Sequence, residues 1–517
     1  MRNNKSTGRD RIPIELIKAG GPIILNSLGL QNNDPRLSEM ISFFKNHNSP
    51  KSDKFSSTIG DVLLNFDEFK QAIQSNIPLI KKAFTGDMII PNFEQFCSHI
   101  DEIFNECKEI RGGAVATYIP QLSKFKPEFW AVSICTIDGQ RYSLGDINVP
   151  FTLQSSAKPI SYALAIDEHG SDMVHKYVGY EPSGESFNSI KLSTELKPHN
   201  PMINPGAIVV CSLIKNNLPM GERFEYMRTK FQSLAGGEYV SFNNAVFLSE
   251  RATANRNLAL GYYLKEHNCF PKNTNLEETL DFYFMSCSVE VTATSGAVLA
   301  ATLANGGYCP ITQENVLPQI SVRNTLALMH SCGMYDYSGR FAFKVGLPAK
   351  SAVSGCILLV VPNVMGLCLW SPPLDNIGNS MRGVHFCDKL IDVFNFHHYD
   401  SLIRTGKKID PRLRQIETTS SQLMSLLFAA HQGDLKSLRR LALIGADMNV
   451  TDYDNRSALH LAASGGHLEC VKFLIERCQA NANVVDRWEH TPLDNAVTFK
   501  HLEVQKYLES FMTSKSA

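Results

Sequence analysis

One pattern near the C-terminus occurs twice at a fixed spacing. Asp452-Tyr-Asp-Asn-Arg-Ser-Ala-Leu-His-Leu-Ala-Ala463 reappears 34 residues on as Asp486-Arg-Trp-Glu-His-Thr-Pro-Leu-Asp-Asn-Ala-Val497. A degenerate earlier copy lies at Leu426-Leu-Phe-Ala-Ala430, followed by Gly433-Asp-Leu435. A repeat of this length is one turn and one helix pair, which cannot bury its apolar face alone and must stack on its neighbours. Residues 422–510 are therefore expected to form a small helical array of two or three units. A polar linker at 408–421 precedes it and a short tail at 511–517 ends it.

The repeat pattern T-P-L-H-x-A makes this array ankyrin-like. It is expected to cap the fold, to mediate assembly or to bind a protein partner that the sequence leaves unnamed. At 517 residues the chain needs more than one core. A net charge of −1 gives no electrostatic reason to expect nucleic acid. The 13 cysteines include no C-x-x-C pair and no Cys/His spacing that suits zinc, so they read as buried reduced thiols and no metal is expected. Cys356 to Trp370 is the longest apolar run, but Pro362, Asn363 and Gly366 interrupt it. It is too short to span a bilayer and reads as two buried strands. The N-terminus carries Asp10 and Glu15 among its basic residues and has no apolar core, so neither a secretory signal nor a mitochondrial presequence is expected.

Residues 1–110 alternate helix-like segments, Phe66 to Ile80 and Phe93 to Cys107, with polar breaks and contain no D-x-[DN]-x-[DN]-G calcium loop. Ala131 to Ile137, the turn Asp138-Gly139 and Gln140 to Ser143 predict a β-hairpin. From there to about residue 330 the pattern is mostly helical, as in Thr292 to Ala304. Strands return at Lys350 to Val361 and Gly366 to Trp370. A sheet assembled from both ends of a domain around a helical insert (111–407) is an α+β arrangement, not a doubly wound one.

Chemistry enters at Ser155 and Lys158. A serine and a lysine three apart share a helix face, and Pro159 fits only an early helical position, so the helix begins near Ser155. There the free N–H groups can stabilise an oxyanion, and a neutral lysine can take the hydroxyl proton. The same spacing at Ser42/Lys45, Ser123/Lys126 and Ser212/Lys215 shows how easily chance supplies it. Lys350-Ser351-Ala352 opens a strand where penicillin-recognising enzymes carry K-[ST]-G. An ammonium at Lys350 is expected to depress the pKa of Lys158, and Tyr335 to relay the proton.

With these residues the chain resembles the phosphate-activated, kidney/liver-type glutaminases of animals. The resemblance is carried by Tyr118-Ile-Pro-Gln-Leu122, Leu153-Gln-Ser155 with Lys158-Pro159, Glu181-Pro-Ser-Gly184, Lys197-Pro-His-Asn-Pro-Met202 with Asn204, and Arg256-Asn257. Further matches are Gly261 to Glu266, Leu328 to Tyr335, Gly346-Leu-Pro-Ala-Lys-Ser351 and Val360 to Gly366. It implies a β-lactamase/penicillin-binding-like serine hydrolase domain, a mixed sheet with a helical subdomain. That domain would lie between an N-terminal EF-hand-like helical domain and the ankyrin repeats. It also implies hydrolysis of L-glutamine to glutamate and ammonia through an acyl-enzyme. By the resemblance, Ser155 is the nucleophile, Lys158 its base and Tyr335 the proton-transfer partner. The amides of Ser155 and Val353 form the oxyanion hole. Tyr118, Asn204, Glu250, Asn257 and Tyr283 hold substrate, with Ser155, Tyr335 and Val353 also touching it and Lys350 supporting. The implied family traits extend to no cofactor, inorganic phosphate as activator, a homotetramer or larger oligomer, and a mitochondrial location. The lack of a clear presequence keeps a cytoplasmic reading open.

Two departures from the family pattern bear on this. Ala352 replaces a glycine, and if that glycine serves a positive φ or a close backbone approach, alanine strains the donor at Val353. Lys191 stands where an aromatic is usual in the Glu181–Lys191 loop, which makes phosphate-driven assembly less secure than catalysis. A competing reading is an assembly or regulatory homologue with an impaired site, acting through its repeats. Another is a penicillin-type hydrolase, which Glu250 argues against.

Overall fold

The computed structural model describes residues 29–31, 34–47, 70–71, 74–85, 87–184, 187–400, 408–413, 415–443 and 446–515. The N-terminal leader reading and part of the Phe66–Ile80 segment lie outside these residues. Two compact units emerge, residues 1–398 and 399–517.

The first unit is built on a five-stranded sheet of order β3-β2-β9-β8-β7, with β2 (Ala131–Thr136), β3 (Arg141–Gly145), β7 (Ala349–Ser351), β8 (Cys356–Val361) and β9 (Met365–Trp370). The expected hairpin is β2–β3, where Ala131 pairs with Gly145 and Cys135 with Arg141. The long apolar run is β8–β9, buried along its whole length. A mixed sheet was expected, yet every pairing among the described residues is antiparallel. Three of the four joins are short turns or a direct hairpin-like return, and tight turns connect only antiparallel neighbours.

The helix Ala293–Ala304 crosses the sheet and is buried on nearly all sides. Its start is fixed by a capping box, with Thr292 as the N-cap and Ser295 answering it. Gly366 on β9 allows the contact: a Cβ there would stand 2.0 Å from the Ala301 amide nitrogen. Strand signals missed in the helical insert form a second sheet, β4 (Phe151–Thr152), β6 (Val289–Val291) and β5 (Val240–Phe242), in the order β4-β6-β5. Strands of two or three residues are too short to show a period of two. A third pairing joins β1 (Ala114–Val115) to β10 (Pro373–Leu374). The helix Phe93–Lys108 packs its apolar face on the sheet's outer side, where Phe104 stacks on Trp130 and accepts a hydrogen bond from the Trp130 indole.

In the second unit the repeats are helix pairs. Ser457 and Thr491 cap the two matching helices, Ala458–Ser464 and Pro492–Thr498, at corresponding positions. Asp452 and Asp486 each accept the amides of the turn ahead. The degenerate copy lies on Gln415–Gln432 and Leu435–Leu443, with Leu426, Ala430 and Leu438 in the core.

Candidate active site

The chain leaves β4 and turns sharply before Ser155. Gln154 adopts a left-handed φ of 50°, and a 3-10 turn over Gln154–Ala157 runs into the helix Lys158–His169, with Pro159 in its first turn. Such a conformation is costly for a residue with a side chain and gathers at functional turns. It turns the serine and the lysine towards one another: Lys158 Nζ lies 2.9 Å from Ser155 Oγ. The same amine donates to Asn204 Oδ1 at 2.7 Å. Burial pulls the Lys158 ammonium down to about 8, against small opposing effects of Cys287, Cys211 and Glu250. No carboxylate lies within ion-pair distance of it among the described residues.

Lys350 behaves differently from expectation. It is fully buried on β7, its Nζ donates to the Ser351 carbonyl at 2.7 Å, and it sits 4.7 Å from the centre of the Tyr335 ring. Burial drives its ammonium well below the usual lysine range, and Lys158 adds to the same direction. The Lys158 amine is moved by burial, Cys287, Cys211 and Glu250, and not by a field from Lys350. Burial is the one of these that lowers it.

Tyr335 is the second left-handed residue of the site, with φ 53°. Its hydroxyl lies beside Ser155 and the Val353 amide, is buried, and makes no hydrogen bond of good geometry in the chain. It is free to bond something placed between them. Val353 sits on the β7–β8 turn. There the Ala352 amide donates to Cys356 O and the Gly355 amide to Ala352 O. Gly355, with φ 87°, takes the left-handed position of this turn, and Ala352 is not left-handed. A positive φ, one of the two causes of strain expected at Ala352, is therefore absent. Its methyl is buried in the core.

Across the pocket stands the other arm. Glu250, on the helix Asn244–Ala252, is 7% exposed and accepts from the Tyr118 hydroxyl at 2.6 Å. Tyr118 Oη is also 2.9 Å from Gln154 Oε1. Burial raises the Glu250 carboxyl above its usual value, and the hydrogen bonds from Tyr118 and Gln154 oppose that. Asn204, first residue of the helix Asn204–Cys211, donates from Nδ2 to Asn257 Oδ1 at 3.1 Å. Tyr283 is buried on the helix Leu276–Cys287, and burial raises its phenol well above the usual value.

The residues expected in the site thus fall into linked groups: Ser155–Lys158–Asn204–Asn257, Tyr335 with Lys350 and Val353, and Glu250–Tyr118. Gln154, next to Ser155 in the chain, meets Tyr118 of the last group and was not anticipated. Its place beside Ser155 was visible, but only the left-handed turn puts its amide in the pocket. Among the described residues no cluster of three or more His, Cys, Asp or Glu can hold a metal, and no helix is long and apolar enough to cross a membrane.

Comparison with known proteins identifies the family. A family model described as Glutaminase matches residues 113–399, one for ankyrin repeats (3 copies) matches 426–513, and one for an EF-hand domain matches 8–91. The chain is 52% identical to the mitochondrial liver isoform of glutaminase from Mus musculus over 507 residues, covering 98% of this chain and 82% of the mouse protein. It is 43% identical to a glutaminase of Trichormus variabilis, over 60% of this chain and 92% of that protein. A solved structure of the probable glutaminase ybaS superposes with a TM-score of 0.54 at 37% identity, covering 57% of this chain and 94% of that one. Mglu in its glutamate form gives 0.54 at 35% identity, over 57% of this chain and 68% of that one. Its hydrolase domain has the β-lactamase-like fold of these structures, and the chain belongs to the glutaminase family, an enzyme family of L-glutamine hydrolysis.

Proposed function

We propose that this enzyme hydrolyses L-glutamine through an acyl-enzyme on Ser155, with Lys158 as the base. One observation carries the reading: Glu250 is a buried carboxylate whose partners, Tyr118 and Gln154, are neutral. A buried anion whose hydrogen-bond partners are all neutral is costly, and the α-ammonium of an amino acid gives it a directly bonded cation. Asn204, Asn257 and Tyr283 offer amide and phenol donors to the α-carboxylate. With its two ends held there, the side-chain amide of glutamine extends towards Ser155.

Ser155 Oγ forms a bond to the amide carbon as its proton passes to neutral Lys158. The oxygen's charge falls to the amides of Ser155 and Val353. Tyr335, its hydroxyl uncommitted, assists the proton to the leaving nitrogen, the C–N bond breaks and ammonia departs. Water then attacks the ester with Lys158 again as base, releasing glutamate. With Lys158 near 8, roughly one molecule in ten is poised with a neutral base at pH 7.

Inorganic phosphate as activator, no cofactor, and a homotetramer complete the proposal, together with a mitochondrial location suggested by the relatives named mitochondrial in mouse and rat. The ankyrin repeats suggest a protein partner. Glutamate formation from L-glutamine, assayed with and without phosphate, tests the reading. Turnover is expected to disappear in Ser155→Ala. Appreciable turnover by that variant removes the nucleophile assignment, and turnover indifferent to phosphate removes the activator.

A further inference from the structure

A buried histidine lies behind the site and is not used by the reaction. His175 is 5% exposed. Its Nδ1 faces the Val178 carbonyl at 2.9 Å, so it carries the proton, and its Nε2 stands 2.7 Å from the Tyr162 hydroxyl, which therefore donates to it. Both ring nitrogens are committed and the tautomer is fixed. One face of the ring is covered by Tyr180, stacked at 3.8 Å with an interplanar angle of 19°.

The two sides of this histidine lead to the two partners of one catalytic contact. Tyr162 lies one turn after Lys158 on the same helix. On the other side, Lys197 Nζ donates to the His175 carbonyl. The amides of Gly179 and Glu181 donate to the carbonyls of Pro198 and His199. The Asn200 side chain ties back to Glu181 O and holds the Met202 amide. This strap of residues 197–202 ends at Asn204, whose Oδ1 accepts the Lys158 amine.

We propose that His175 in its neutral form is a positioning residue, holding the Lys158 helix and the Asn204 strap in register, and that protonating it loosens the Lys158–Asn204 contact. A protonated Nε2 no longer accepts from Tyr162. Of the charged and titratable groups facing it, Lys197 on the strap opposes the new charge, Asp172 on the helix Ser171–Val174 favours it, and Tyr162 and Tyr180 are neutral phenols. Burial, the largest effect, holds the imidazole below its usual 6.5. A depressed histidine contributes stability that is complete above the unfolded value and is lost as pH falls through the folded one. The contact therefore weakens only on the acid side.

The proposal rests on the Ser155–Lys158 reading, so one arm of the test needs no turnover. In purified full-length protein, His175→Gln and Tyr162→Phe are compared with wild type by hydrogen exchange of the Gly179 and Glu181 amides and by glutamine kinetics against pH. Both variants are expected to exchange faster at these amides at pH 8. KM is expected to rise about fivefold, the worth of one net hydrogen bond, with kcat changed less. The double variant is expected to be no worse than either single one, because both break the same link. Below pH 6.5 the wild type should lose kcat/KM with two protons and His175→Gln with one. Unchanged exchange at Gly179 and Glu181 in the folded Tyr162→Phe protein, which loses a single oxygen atom, overturns the proposal, as do strictly additive effects. Altered exchange in a protein without glutaminase turnover keeps the positioning link and discards the catalytic reading instead.

Discussion

Burial alone is enough to bring Lys158 into the range where an amine acts as a base, and it moves Lys350 in the same direction. This separates two accounts of the site. If Lys350 supplied a charge, Lys350→Met would relieve Lys158 and move the acid limb of the rate profile upward. The structure leads to the other outcome: kcat falls because the support under the Tyr335 ring is lost, while the limb stays near pH 8. The sign follows from the chemistry, since the base works deprotonated and activity must rise with pH through that value. Lys158→Ala should lower kcat about a hundredfold or more with fold intact by circular dichroism. Glu250→Gln should raise KM for glutamine at least about tenfold, because the proposed partner of the α-ammonium loses its charge. An unchanged KM would remove Glu250 from the substrate clamp.

The elements that position these side chains were legible to differing degrees. The hairpin β2–β3, the paired strands β8–β9 and the helix Ala293–Ala304 all follow from local signals: a turn dipeptide, apolar runs and a capping threonine. The second sheet does not, because β4, β5 and β6 gain their hydrogen bonds only from partners distant in sequence. Gly366 marks where an element must approach another, and Gly366→Ala forces a Cβ into the backbone of Ala300 and Ala301. A loss of roughly 3 kcal/mol is expected, read as a lowered midpoint in urea. A change under about 0.5 kcal/mol would mean that the helix shifts without penalty.

Over the whole molecule, residues 1–398 and 399–517 each own a core, one around the five-stranded sheet and one within the stacked helix pairs. Unfolding in denaturant is expected in two transitions. Leu474→Ala, at a fully buried repeat position, should lower only one of them, by about 2–4 kcal/mol, and leave glutamine turnover in place. A single transition displaced as a whole would show the two units to unfold together. The sequence by itself determined the stacked repeats, the sheet strands nearest the site, the Ser155–Lys158 pair and, through long matching segments, the family. Those are properties of spacing and of local preference, which a chain displays before it folds. Only the tertiary structure decided that burial, not Lys350, lowers Lys158, that Ala352 is not left-handed, that Gln154 meets Tyr118 and that His175 is tied to the Lys158 helix. Desolvation, backbone handedness and the meeting of distant side chains come into being when the core closes, and no stretch of sequence carries them alone.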